Sequence, residues 1–102
     1  MSKRAEAEAL FFAGNGQMAD GDLAGAEASF RAALELAPDF AEAHANLAYL
    51  LERAGALQEA EAHYWHSIAA DPGIAQTHVN LGVLLAGQKR FAEAEATYRD
   101  AI

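Results

Sequence analysis

Displaced by 34 residues, the chain falls into register with itself. Leu23, Leu57 and Phe91 align at that offset, followed by Ala26, Ala60 and Ala94, by Glu27, Glu61 and Glu95, and by Ala28, Ala62 and Ala96. The aromatic residues Phe30, Tyr64 and Tyr98 come next, then the small residues Ala33, Ser67 and Ala101, and Pro38 and Pro72 close the cycle. Amphipathic helices alone would align a few apolar positions, but not the small residues and the prolines as well. The pattern is therefore an internal repeat, in which each unit buries an apolar face against the next.

Each unit divides into two helical stripes. In segment 57–70, Leu57, Ala60, Tyr64, Ser67 and Ile68 recur at the three- and four-residue spacing of one helix face, and segment 41–54 carries Leu47, Ala48, Leu50 and Leu51. Gly55 separates the two. Gly21, Gly55 and Gly87 are expected at turns, where a residue tolerant of positive φ reverses the chain without Cβ strain. Pro38 and Pro72 end the second helix of their units. The reading is all-α, one domain over residues 1–102 built of antiparallel helix hairpins, with helices at 3–18, 23–36, 40–53, 57–70, 74–85 and 91–102. Gly14, Ala48 and Gly82 on the first helices and Ala26, Ala60 and Ala94 on the second let the backbones approach, with Phe30, Tyr64 and Tyr98 filling the space beside them.

These residues carry a family pattern. ANLAYLLERAGALQEAEAHYWHSIAADP resembles a tetratricopeptide repeat, and THVNLGVLLAGQKRFAEAEATYRDAI resembles the next. In that register the units run 7–40, 41–74 and 75–102, the last incomplete, with Leu10, His44 and His78 in place of the usual first-helix aromatic and with Gln17 departing from an apolar preference. The resemblance implies a right-handed superhelix with first helices lining a concave, partner-binding surface. Asn80-Leu81-Gly82, echoed by Asn46-Leu47-Ala48, looks most like the repeats of O-linked N-acetylglucosamine transferases, whose inner asparagines hold the backbone of an extended peptide. Phe12 stands at that position in the first unit. Another branch of the family clamps a terminal carboxylate with lysines and asparagines. The matching positions here are Phe11, Asn15, Asn46, Gln76 and Asn80, without the basic residues, so a chaperone-tail receptor is disfavoured.

Composition narrows the function classes. The chain has no cysteine, which excludes disulfides, thiolate metal ligands and cysteine nucleophiles. Fifteen acidic against seven basic side chains give a formal net charge of −8, which repels a nucleic-acid backbone on average. No apolar run reaches membrane length and no cleaved signal is read, so a cytoplasmic location without membrane attachment is expected. Ser29 and Ser67 lack a nucleophile context, Glu59 and Glu61 point to different helix faces, and no glycine-rich phosphate loop occurs, so neither catalysis nor a cofactor is expected. His63 and His66 share a helix face, but two ligands do not close a metal site. Trp65 is expected to project away from the helix seam.

The expected activity is the binding of a protein or extended peptide. Asn46 and Asn80, one unit apart, would form the centre of the site, with Glu42, Tyr49 and Val83 adding charge and apolar selectivity on the same inner face and favouring a peptide with a basic residue. The alternative is a self-association module. In that reading Leu84, Leu85 and Tyr98 at the C-terminal apolar face help form a contact with another copy.

Overall fold

The computed structural model describes residues 2–102. The first helix, α1 (Lys3–Ala19), starts where Ser2 Oγ accepts the Ala5 N–H at 3.1 Å, and the second, α2 (Leu23–Leu36), starts where Asp22 Oδ1 accepts the Gly25 N–H at 3.0 Å. Four more follow: α3 (Ala41–Arg53), α4 (Leu57–Ala70), α5 (Ala75–Gly87) and α6 (Phe91–Asp100). They form three antiparallel hairpins, α1–α2, α3–α4 and α5–α6, stacked into a short superhelix of 44 × 25 × 19 Å, with no strand among the described residues.

The prolines act as expected at the hairpin junctions. Helix α2 stops at Leu36 and α4 at Ala70, each two residues before its proline. The next helices start one residue later than expected. Phe40 (φ −74°, ψ 92°) and Ile74 (φ −87°, ψ 95°) are still extended as the chain leaves the proline turn, so they precede α3 and α5 rather than open them. Helix α5 runs on to Gly87, and α6 ends at Asp100 rather than Ile102.

One turn residue differs from expectation. Gly21 and Gly55 do take positive φ, 84° and 85°, but Gly87 lies inside α5 and the third positive φ falls on Lys89 at 63°. Lys89 is the residue in register with Gly21 and Gly55, so the fold keeps the turn geometry and forces it on a side chain that disfavours it.

The small residues explain the hairpin crossings. A Cβ on Gly14 would lie 2.7 Å from the Phe30 ring, and one on Gly82 would lie 2.7 Å from Tyr98 Cδ1. Between them Ala48 and Tyr64 are both fully buried in the main core, with Phe30, Leu47, Leu51, Leu81 and Leu85. Tyr64 keeps its hydroxyl satisfied by donating to Glu52 Oε1 at 2.9 Å, and burial, reinforced by that carboxylate, pushes the phenol well above its ordinary value. Gln17 stands where Leu51 and Leu85 stand in the other hairpins, and its amide is met by Ser29 Oγ at 2.6 Å and the Gly25 carbonyl at 3.0 Å. Leu84 and Leu85 are buried in this core and so are not available as an outer contact, because α5 turns that face toward its neighbours. Tyr98 is 38% exposed, whereas its counterparts Phe30 and Tyr64 are fully buried.

Candidate peptide-binding face

Neighbouring hairpins are joined by short reaches on one side and long reaches on the other. Between α1 and α3 two asparagines suffice: Asn46 Nδ2 donates to Asn15 Oδ1 at 2.7 Å. Between α2 and α4 the bridge needs the length of Arg31, whose Nη2 donates to Glu59 Oε2 at 2.7 Å, and Arg90, just before α6, donates from Nη1 to Glu61 Oε1 of α4 at 2.6 Å. A stack whose first helices stand closer than its second helices curves with the first helices inside. The inner face is therefore made by α1, α3 and α5.

On that face the exposed apolar side chains are Phe12 (66% exposed), Tyr49 (38%), Val79 and Val83 (52%). The half-buried amides of Asn15, Asn46 and Asn80 lie among them, with Glu42 and Gln76 exposed in the first turns of α3 and α5. Asn80 accepts on Oδ1 from Gln76 Nε2 at 2.8 Å, a bond within α5, whereas Asn46 is bonded across to α1. The two asparagines thus occupy equivalent positions with different partners. Pairing fixes the orientation of each amide while leaving Asn46 Oδ1 and the Asn80 amide N–H groups without a protein partner among the described residues. Tyr49 is steadied by Arg53, whose Nη1 donates to its hydroxyl at 3.1 Å and whose guanidinium lies 5.7 Å from its ring. Both line a cleft of about 310 Å³ floored by Met18, Leu23 and Leu50.

Sequence reasoning missed Asn15 as a partner of Asn46. The two are 31 residues apart, not 34, because the contact is staggered by most of a helical turn, and a self-alignment at the repeat length does not bring them together.

The outer side is organised by ion pairs. Glu59 reaches back to Arg31 and Glu61 forward to Arg90, so the two acids of one helix face opposite neighbours, and in each the arginine hydrogen bond holds the carboxyl below its ordinary value. Trp65 projects outward as expected, its Nε1 donating to Glu61 Oε2 at 3.2 Å. Three of the four histidines gather in the middle hairpin. His44 Nδ1 lies 2.9 Å from His63 Nδ1, and the His66 ring stacks on His44 at 5.2 Å. Among the described residues no group of three or more His, Asp or Glu side chains is disposed to hold a metal ion, and no helix is long and apolar enough to cross a membrane.

A family model described as Tetratricopeptide repeat matches residues 11–73 and again 67–102. No curated protein matches the chain. Among solved structures, PilF of Pseudomonas aeruginosa is 30% identical with a TM-score of 0.88, over 97% of this chain and 45% of that one. MamA is 22% identical with a TM-score of 0.87, over 94% and 56% respectively. The TPR2B domain of yeast Sti1, solved in complex with pHsp70, is 23% identical with a TM-score of 0.88, over 95% and 78%. The chain spans about half the length of MamA and PilF.

Proposed function

Because the chain belongs to the tetratricopeptide repeat family, we propose that it binds an extended segment of another protein along the inner face of α1, α3 and α5. The observation that carries this reading is the amide pair of Asn46 and Asn15, which spans two hairpins and holds hydrogen-bonding groups at the floor of the groove. Applied one unit on, the same stagger sets Tyr49 against Asn80. The groove then interleaves apolar and amide groups: Phe12, the amides of Asn15 and Asn46, Tyr49 beside the amide of Asn80, and Val83. Amides can serve backbone N–H and C=O groups of an extended chain irrespective of its side chains, and the apolar positions supply anchors. This is the mode suggested by the likeness of Asn80-Leu81-Gly82 to the O-linked N-acetylglucosamine transferase repeats.

Charge selects within that class. Glu42 on the inner face favours a peptide with a basic residue. The RPAP3 repeat domain, a similar fold at 17% identity, is bound to the acidic HSP90 peptide SRMEEVD. The clamp positions of this chain hold Phe11, Asn15, Asn46, Gln76 and Asn80 and no basic side chain, so an acidic tail is the poorer ligand.

A pull-down from the source cell with the intact chain tests the proposal, run beside the Asn46→Ala/Asn80→Ala variant. A partner held by the first and lost by the second, with helical circular dichroism unchanged, is expected; equal recovery by both would refute the site. A second reading, self-association through α5 and α6, is favoured by the exposure of Tyr98 where its two counterparts are buried. Light scattering over a dilution series separates the two: a dilution-insensitive monomer sinks self-association.

A further inference from the structure

We propose that the middle hairpin contains an acid-sensitive joint, in which His44 and His63 tie α3 to α4 and to the Pro38 turn only while His44 is neutral and keeps its Nδ1 lone pair. His44 Nε2 lies 2.7 Å from the Pro38 carbonyl oxygen, which can only accept, so Nε2 carries the hydrogen. Neutral His44 then presents a lone pair at Nδ1. The facing Nδ1 of His63, 2.9 Å away, must be the donor. One pair of tautomers satisfies the set: His44 protonated at Nε2 and His63 at Nδ1.

The two rings differ in what a second proton does. On His44 it would go to Nδ1, setting two N–H groups head to head and breaking the bond. On His63 it would go to Nε2, which faces Glu59 Oε2 at 3.9 Å and leaves the Nδ1–H donor in place, so the cost there is burial of a charge, only partly offset by that carboxylate, and not a broken bond. That carboxylate is already engaged at 2.7 Å by Arg31, which also holds Glu27 at 3.0 Å, and the Arg31 guanidinium itself disfavours a neighbouring imidazolium. His66 stacks on His44 and lies 6.1 Å from the His63 ring, and it disfavours a positive charge on both. The remaining charged groups give little relief: Glu35 lines the outer cleft beside His44 and His63 but is exposed, and exposed Asp39, at the turn, lies 3.9 Å from Arg4 of α1. Burial, above all, lowers both imidazoles from their ordinary value, His63 to about 4 and with a further contribution from His44. A lowered folded-state value means that the unfolded chain takes up protons first. The contribution of the joint is intact above about pH 6.5 and is lost as pH falls from there toward about 4.

The repeat supplies its own controls. The first hairpin has Leu10 and Ser29 at the two positions, with nothing to titrate. In the third, His78 Nε2 repeats the bond to a proline carbonyl, at 2.8 Å from Pro72, but Thr97 replaces His63 and donates instead to the Glu93 carbonyl, leaving buried His78 Nδ1 without a partner. The pair is thus particular to the middle hairpin. His44 lies two residues before Asn46 on α3, so acid loosening of α3 would release the amide at the groove floor. That last step rests on the proposed peptide-binding reading; the joint itself does not.

The test uses the full chain and no ligand, so failure of the joint and failure of the binding site are told apart. Long-range nitrogen–proton NMR of the histidine rings at neutral pH should show His44 protonated at Nε2 and His63 at Nδ1, with His63 still neutral near pH 5 and His44 charging below its ordinary value. Thermal melts from pH 7.5 to 4.5 should show wild type taking up about one to two more protons on unfolding than His44→Leu/His63→Ser, the pair used by the first hairpin. The Asn46 side-chain amide signals should shift with acidification in wild type alone. The opposite tautomers, a His44 that charges at or above its ordinary value, or equal pH dependence of wild type and variant would each overturn the joint. If the double variant does not fold, the ring spectra of wild type decide alone.

Discussion

Lys89→Gly should make this protein more stable although it removes a side chain and adds none. At φ 63° Lys89 sits in the left-handed region that its counterparts Gly21 and Gly55 occupy freely. Holding an L-residue there costs roughly 1–2 kcal/mol, which glycine avoids. Glycine also gains freedom in the unfolded chain, which takes back about 0.4–1 kcal/mol. Lys89 is exposed, so little packing is lost. The net gain is about 0.5–1 kcal/mol, or roughly 2–8 °C in the thermal midpoint of a domain this size. Reversible melts followed by far-UV circular dichroism measure it, with Gly55→Ala as the mirror experiment, expected to lose a similar amount. A third variant, Gly87→Ala, checks the assignment: Gly87 is helical, with open space around its Cβ position, so alanine there should be neutral or stabilising. A destabilising Lys89→Gly together with a harmless Gly55→Ala would refute the argument that turn geometry is imposed by the repeat rather than chosen by the local residue.

Other expectations come from the core. Gly14→Ala should cost about 1–3 kcal/mol in chemical denaturation because Phe30 is fully buried and cannot retreat, whereas Gly82→Ala should cost less because Tyr98 is partly exposed and can swing away. Ala60→Leu should overpack the middle crossing by about 1–3 kcal/mol, measured the same way. Tyr64→Phe should cost about 1–2 kcal/mol by leaving Glu52 without its donor, and most of that should return in Tyr64→Phe/Glu52→Met, which copies the Phe30 and Met18 of the first hairpin; a double variant as weak as the single would show that the hydroxyl is not the cause.

The parts of this fold that were legible are those that recur. Proline and small-residue positions repeat at a fixed interval, so hairpin boundaries and the crossings of Gly14 with Phe30 and Gly82 with Tyr98 followed from alignment alone. The turn at Lys89 is readable by the same arithmetic, whereas glycine content alone, the usual mark of a positive φ, points to Gly87. Leu84 and Leu85 stand in register with Leu50 and Leu51, so their burial follows from the repeat, and Tyr98 alone of the three is left partly exposed. The pairs formed across helices were not legible in this way. Asn15 with Asn46 and His44 with His63 are 31 and 19 residues apart, distances set by superhelical stagger and hairpin closure rather than by the repeat. Glu42, Asn46, Tyr49, Asn80 and Val83 are proposed from the repeat register alone, while the amide bonding that orients Asn46 and Asn80 required coordinates.

Titration calorimetry with a partner peptide recovered by the pull-down puts the groove to the most direct test. Asn46→Ala/Asn80→Ala removes two amides that together are worth about 1–3 kcal/mol of net hydrogen bonding, so Kd should rise by about five- to 150-fold while helical circular dichroism stays that of wild type. An unchanged Kd in the folded double variant would contradict the account, and binding lost together with helicity would show that the two asparagines hold the fold rather than the ligand.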